Sequence, residues 1–423
     1  MSDQDPLSSG TETILQHPVN PQTLFRLPWT MSDNAMTWLE PTRQCDITCD
    51  ACFHENDPES QKSLEQIERE LKTMLRLRRC DAMLIAGGEP LTHPRIIEIT
   101  KMVKSYHVKP VLITNGVGLN QDLVFDLKKA GMHGFTFHID AHQHRPGWEG
   151  KTENELNGLR LQFAEMLKKA GGLSCAFNIT VFPDTLKDVA DIVRWAVQNI
   201  DKVHIVTLIP VRMISPENSH DFFIGGGKID IRETPYVSKV PYKNLSSIDI
   251  YKEIIKILPN YKFCAYLGGT ALPTSLKWIL GTHMGTQNQS FGNLGCKSME
   301  LLQYASHFFR GKYLAYTKTQ ANRKGRMAFL LAFFDKEIRS AMKRYWSSVI
   351  SDPRILFKRI YLQSISAVQP VDILDTGEQD NCDGCPNKTF WNDRLVSACR
   401  YEEYHIWGAP INIAPEHKHK KHE

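Results

Sequence analysis

No apolar run in this chain of 423 residues reaches the roughly 20 needed to span a membrane; the longest candidate is "RMAFLLAFF". An integral helical membrane protein is therefore not expected. The first 30 residues lack both a basic start and an apolar centre, so they do not read as a secretion signal, and cytoplasm is the default. Charge of one sign is also scarce. A formal net charge of +4 is too small to argue for nucleic acid by itself. A hydrophobic content of 42% is that of an ordinary globular core, enough for one large domain with an appendage or for two. In a reducing compartment, clustered cysteines read as metal ligands or catalysts rather than as disulfides.

Three of the ten cysteines stand inside eight residues, in "RQCDITCDACFHEN". Structural zinc usually takes four closed ligands in two pairs, and Cys45, Cys49 and Cys52 have no fourth cysteine nearby. An iron-sulfur cluster with one iron left open to a non-protein ligand suits three soft thiolates better.

Downstream, helix-like and strand-like segments alternate. "SLEQIERELKTMLRLRR" has apolar residues at helical spacing, with Ser63 and Gln66 forming a capping box. Pro94 stands at about the first position of the next helix, and Gly131 closes the one after it. The strands are "AMTWLEP", "DAMLIAGG", "PVLITNG", "GFTFHID", "LSCAFNITVF" and "KVHIVTLIP". Such a series of βα units demands a parallel sheet covered by helices. Ligands in such folds sit where strands end. The cysteine loop, "GGEP", "TNG" and "DAH" follow the first four strands, so all four share one rim.

Cys45, Cys49 and Cys52 followed by Phe53, then Gly87, Gly88, Glu89 and Pro90 after the next strand, resemble the radical SAM superfamily. The resemblance covers about residues 35–212 and implies a partial (β/α)6 TIM-like barrel. It implies that the three thiolates hold a [4Fe-4S] cluster whose open iron is chelated by the amino and carboxylate groups of S-adenosylmethionine. One electron would then give methionine and a 5'-deoxyadenosyl radical that abstracts hydrogen from substrate. Phe53 is expected near the cluster and adenine, although it also reads as a core aromatic. Gly87, Gly88 and Glu89 are expected at the methionyl amino group, where glycines admit a close backbone and a carboxylate accepts from an ammonium. Thr114, Asn115 and Gly116 read either as cofactor contacts or as a turn, and Asp140 as a contact or a helix cap. Asn178 and the backbone of Leu208 to Pro210 are further cofactor candidates. His138, His142 and His144 read as polar residues at the barrel mouth, with substrate binding or proton handling as the alternative.

The expected division is an N-terminal extension (1–34), a core (35–212), a connecting segment with room for one strand pair (213–246), a mainly helical, cysteine-bearing module (247–410) and a disordered His/Lys tail (411–423). Cys382, Cys385 and Cys399 have metal-type spacing. Related enzymes often carry an auxiliary cluster there, in a SPASM or twitch extension, so a second [4Fe-4S] cluster completed by Cys264 or Cys296 is expected, with zinc as the alternative. Cys80 and Cys175 read as small buried hydrophobes. From residue 297 to 365 runs a largely helical, basic stretch interrupted at Pro353, either a cap on the barrel or a surface for anionic lipid or RNA phosphates.

The leading function is thus a radical SAM enzyme acting on an unidentified substrate, with flavodoxin or ferredoxin as electron donor. No separate cobalamin domain precedes the barrel, which argues against the cobalamin-dependent methylases. Alternatives are a peptide-modifying maturase, against which the short N-terminal segment argues, a lipid or isoprenoid modifier at a membrane surface, and a non-catalytic cluster-bearing scaffold.

Overall fold

The computed structural model describes residues 19–214, 220–231, 237, 244–374 and 378–415. The first 18 residues, parts of the connecting segment and the tail from 416 onward lie outside them.

All six expected strands form. They are β2 (Met36–Thr42), β3 (Ala82–Gly87), β4 (Lys109–Thr114), β5 (Gly134–His138), β6 (Ser174–Val181) and β7 (Ile205–Pro210). They pair in parallel in chain order. Helices α1 (Leu64–Leu77), α2 (Ile96–Ser105), α3 (Gln121–Lys129), α4 (Glu153–Ala170) and α5 (Val189–Gln198) make the crossovers. Three of their starts, those of α1, α3 and α4, follow capping chemistry. Ser63 Oγ accepts from the Gln66 amide, and Thr152 and Glu155 form a reciprocal capping box on α4. Helix α2 begins two residues after Pro94, behind Arg95, a small displacement from the expected start. Gly131 follows α3 at φ +104°, a conformation that a Cβ would strain.

Alternation along the strands separates two cores. Met83, Ile85 and Leu112 face outward into the layer shared with the helices, where Phe137 stacks on Phe163 at 4.5 Å. Ala82, Leu84, Ala86 and Val111 face the barrel interior with Met36 and Trp38. Small interior residues leave room for Tyr313 and Ala315, and the Tyr316 hydroxyl meets Thr136 Oγ1 at 2.9 Å. His133 and Lys109 both meet the Tyr316 carbonyl, so the loop 312–317 plugs the end of the barrel at which the strands begin.

The C-terminal half contains the expected helices α7 (Cys296–Arg310) and α9 (Lys336–Ser351), preceded by α6 (Ser247–Ile257) and joined by the short α8 (Thr319–Asn322). A 3-10 helix follows Pro353. It also contributes strands. β13 (Tyr361–Val368) falls in the stretch read as helical, yet pairs in parallel with β7 because Ile365 and Ala367 alternate into the outer core. β11 (Trp278–Thr286) joins β13 antiparallel, β10 (Ala265–Leu267) and β12 (Gln289–Asn293) flank β11, and β1 (Phe25–Arg26) closes the order on β10. The connecting segment supplies an antiparallel pair, β8 (His220–Ile224) and β9 (Gly227–Ile229). Among the described residues no helix is long and apolar enough to cross a membrane.

Candidate functional site

The loop after β2 is held from three sides. The Cys45 amide donates to Asn56 Oδ1, whose amide group returns a bond to the Cys45 carbonyl. Cys49 forms an isolated antiparallel bridge with Gln143, the Asp50 amide donates to the His142 carbonyl, and the His144 amide donates to the Thr48 carbonyl. From the glycine turn, the Gly88 and Glu89 amides donate to the carbonyls of Thr42 and Gln44 at 3.0 and 2.7 Å. The glycines are thus required by the cysteine loop itself. A Cβ on Gly87 would stand 2.4 Å from the Thr42 oxygen, and one on Gly88 2.3 Å from the Gln44 oxygen.

Cys45, Cys49 and Cys52 lie within electrostatic reach of one another. Burial, with Glu89 and Asp46 beside Cys45 and Asp140 beside Cys49, pushes both thiols up. Three thiols that resist ionisation alone suit a cationic metal centre that compensates their charge. Among the described residues no three His, Cys, Asp or Glu side chains converge as the ligands of one ion. Thiolates of a cluster bind different irons and need no such convergence.

The remaining rim candidates meet the loop in different ways. Glu89 is buried, with Oε1 accepting from the Leu91 amide and the Thr114 hydroxyl and Oε2 from the Asn115 amide at 2.6 Å. It therefore caps the turn Pro90–Thr92, and burial pushes its carboxyl up to about 7 against those donors. Asn115 Nδ2 donates to Asp46 at 2.6 Å and lies 3.9 Å from Cys45 Sγ. The Gly116 amide donates back to the Thr114 hydroxyl. Asp140 is buried, yet His138 and the amides of Thr180 and His142 hold its carboxyl below the usual range. Asn178 on β6 stands beside His138 in register. Phe53 packs its ring at 4.8 Å from that of His54.

The three histidines are bound to carboxylates rather than to one another. His138 meets Asp140 at 3.0 Å, His144 meets Asp50 at 2.8 Å, and His142 lies between Asp50 and Asp184. Burial notwithstanding, those two aspartates hold the His142 imidazole above its ordinary range.

Two residues of this site gave no local signal in the sequence. Arg145 is buried in the stretch that carries the three histidines, its Nε has no partner among the described residues, and it lies within reach of Cys49, Glu89, Asp46 and Asp140. Glu402, fully buried, comes from 359 residues beyond Arg43, which donates to it at 2.7 Å; His54 and the Glu55 amide also meet it. A long-range contact of this kind has no periodicity or spacing to betray it.

A second group of cysteines gathers on the outside of β2. Cys382, Cys385 and Cys399 lie within electrostatic reach of one another, with Cys382 Sγ against the Gln369 carbonyl and Cys385 Sγ against that of Asn387. Lys388 and Arg78 favour the thiolate of Cys385, and Lys277 lies beside Cys382. Cys264 and Cys296 face each other instead; Cys264 Sγ contacts the Leu280 carbonyl and Cys296 Sγ the Thr23 carbonyl. Cys80 and Cys175 are buried, as expected of small hydrophobes.

Residues 39–196 match the model of the radical SAM superfamily. The chain is 28% identical over 188 residues to the 7,8-dihydro-6-hydroxymethylpterin dimethyltransferase of Methanocaldococcus jannaschii, a match covering 41% of this chain and 35% of that protein. It is 23% identical over 296 residues to the tungsten-containing aldehyde ferredoxin oxidoreductase cofactor-modifying protein of Pyrococcus furiosus, covering 62% of this chain and 78% of that one. With the AdoMet-dependent heme synthase of Methanosarcina barkeri it shares 29% identity over 134 residues, 30% of this chain and 37% of that protein. Among solved structures, SuiB of Streptococcus suis bound to S-adenosylmethionine aligns at 15% identity and a TM-score of 0.38, over 61% of this chain and 53% of that one. Residues 39–196 thus form a radical SAM domain, and enzymes of that superfamily use a [4Fe-4S] cluster and S-adenosylmethionine.

Proposed function

We propose that this chain is a radical SAM enzyme with its cluster on Cys45, Cys49 and Cys52 and its substrate at the rim above β2 to β7. The observation that supports this best is the joining of the cysteine loop to the GGEP turn by two backbone hydrogen bonds and two glycines that leave no room for a side chain. The cluster and S-adenosylmethionine, when bound, supply an electron and a 5'-deoxyadenosyl group for hydrogen abstraction from substrate. The chain's own residues supply the charge pattern. Asp46, Glu89 and Asp140 suit a ligand carrying ammonium and sulfonium charge, and the unpartnered Arg145 Nε suits its carboxylate. Thr114 and Asn115 hold Glu89 in place, and Asn178 and Leu208 to Pro210 line the farther strands. A flavodoxin or ferredoxin would deliver the electron.

The C-terminal cysteines are proposed to hold an auxiliary cluster, the SPASM-like reading. Arg78, Lys277, Lys388 and Arg400 surround Cys382, Cys385 and Cys399 with positive charge, which suits an anionic cluster. Cys264 or Cys296 is proposed for the fourth position; their Sγ atoms contact the carbonyls of Leu280 and Thr23.

Anaerobic reconstitution, iron counting and a 5'-deoxyadenosine assay under dithionite test both parts. Cys49→Ala is expected to abolish 5'-deoxyadenosine formation, and wild-type activity in that variant would overturn the first assignment. Cys385→Ala is expected to lower total iron while the first cluster's spectrum persists; unchanged iron would refute the second.

A further inference from the structure

The segment from Lys324 to Arg359 builds a small unit around one apolar core, in which Ala328, Ala332, Ile338, Ala341, Tyr345 and Ile355 are buried. Its outer surface is also apolar. The 3-10 helix Gly325–Phe333 repeats every three residues, so Met327, Leu330 and Phe333 form one line opposite the buried Ala328. Leu330 is 76% and Phe333 90% exposed. On α9, Arg339, Lys343, Trp346 and Ile350 follow one another at steps of four, three and four along one flank, and Ile350 is 82% exposed. Phe357, 90% exposed, belongs to the turn after Pro353. Arg339 donates to the Phe333 carbonyl and Arg326 to those of Leu356 and Lys358, so the three apolar lines are tied into one body. Phenylalanines this bare are not ordinary surface residues.

The charge around them identifies the occupant. Residues 324–359 hold nine lysines and arginines against three acids, an excess of six where the whole chain has +4. Those acids are already engaged. Asp335 is buried as the cap of α9, Glu337 pairs with Lys262 at 3.1 Å, and Asp352 with Arg354 at 2.7 Å. A protein partner would need an apolar face ringed by carboxylates; an anionic bilayer offers an apolar boundary beneath a negative plane everywhere on its surface.

We propose that this unit docks the protein peripherally on an anionic membrane, with Leu330, Phe333, Ile350 and Phe357 entering the acyl boundary and the basic side chains meeting headgroups. The unit is anchored at the end where the strands begin. The Gly325 amide donates to the Ile360 carbonyl just before β13, and the adjoining α7 is tied through Arg310 to Asp81, just before β3. The cysteine rim therefore points away from the bilayer, and the docking locates the enzyme without passing lipid into the barrel.

The test is co-sedimentation of the full chain with vesicles of phosphatidylglycerol and phosphatidylcholine, against phosphatidylcholine alone. Binding is expected to the first, at least about tenfold weaker to the second, and to weaken as salt is raised. The double variant Phe333→Glu, Phe357→Glu is expected to lose binding about tenfold with its circular dichroism unchanged. Should that variant misfold, Lys343→Glu on the exposed flank of α9 carries the same expectation. Absence of wild-type binding, salt-independent binding, or a wild-type dimer that the double variant makes monomeric without either binding vesicles would overturn the proposal.

Discussion

Glu89 is an acid in a place where its charge is disfavoured. Burial raises its carboxyl from an ordinary value near 4.5 to about 7, although three donors oppose the shift. Between those two values the unfolded chain has released the proton and the folded chain retains it. Stability contributed by this group is therefore whole below pH 4.5 and falls as pH rises towards 7, by about 3 kcal/mol for a shift of this size. Glu89→Gln removes the titration, so its urea midpoint is expected to vary less than that of the cofactor-free wild type between pH 4.5 and 7. Parallel profiles would show that Glu89 ionises normally. At this scale the sequence was informative about which residues stand at the rim and less so about what each does. Glu89, expected at a ligand's ammonium, also caps the turn that follows it, because a carboxylate placed just before Pro90 meets a free backbone amide of that turn. Arg145 is not legible in the sequence because a lone arginine in a loop has no motif.

Between elements, the decisive contact is the crossing of the cysteine loop over the glycine turn. Neither loop has regular structure, and each takes its shape from the other through the two amides of Gly88 and Glu89. Gly88→Ala would set a methyl group 2.3 Å from the Gln44 oxygen and 2.5 Å from the Arg43 oxygen, both backbone atoms that cannot rotate aside. The cysteine loop must then lift. We expect a loss of about 1 to 3 kcal/mol in thermal or urea unfolding, together with lower iron uptake on reconstitution; unchanged stability and uptake would show that the loops pack independently. The strands and helices flanking these loops were legible because capping residues, glycines and hydrophobic period all agree there. β13 was not, since Tyr361, Gln363 and Ile365 alternate only briefly within a basic, helix-like stretch and take their strand form from pairing with β7.

Across the whole molecule, the C-terminal segment binds the barrel at two levels of β2. Near the strand's start, Arg78 at the end of α1 is fully buried, with no carboxylate partner among the described residues, and donates to the carbonyls of Met31, Met36, Cys385 and Pro386. Near the cysteine loop, Glu402 accepts from Arg43. The two cysteine groups are therefore joined through one strand and two buried arginines, an arrangement that no reading of either motif alone could supply. Arg78→Met keeps much of the side-chain volume and removes every donor, leaving the buried carbonyls of Met36, Cys385 and Pro386 and the part-buried one of Met31 short of a partner. Stability is expected to fall by about 3 kcal/mol, with iron at the C-terminal cysteines reduced and 5'-deoxyadenosine formation less affected. Equal loss of both would mean that the segment's hold on β2 also sets the shape of the first cysteine loop, through Glu402. Loss of neither would show that the carbonyls find other donors and that the clasp at Arg78 is not what seats the C-terminal cysteines.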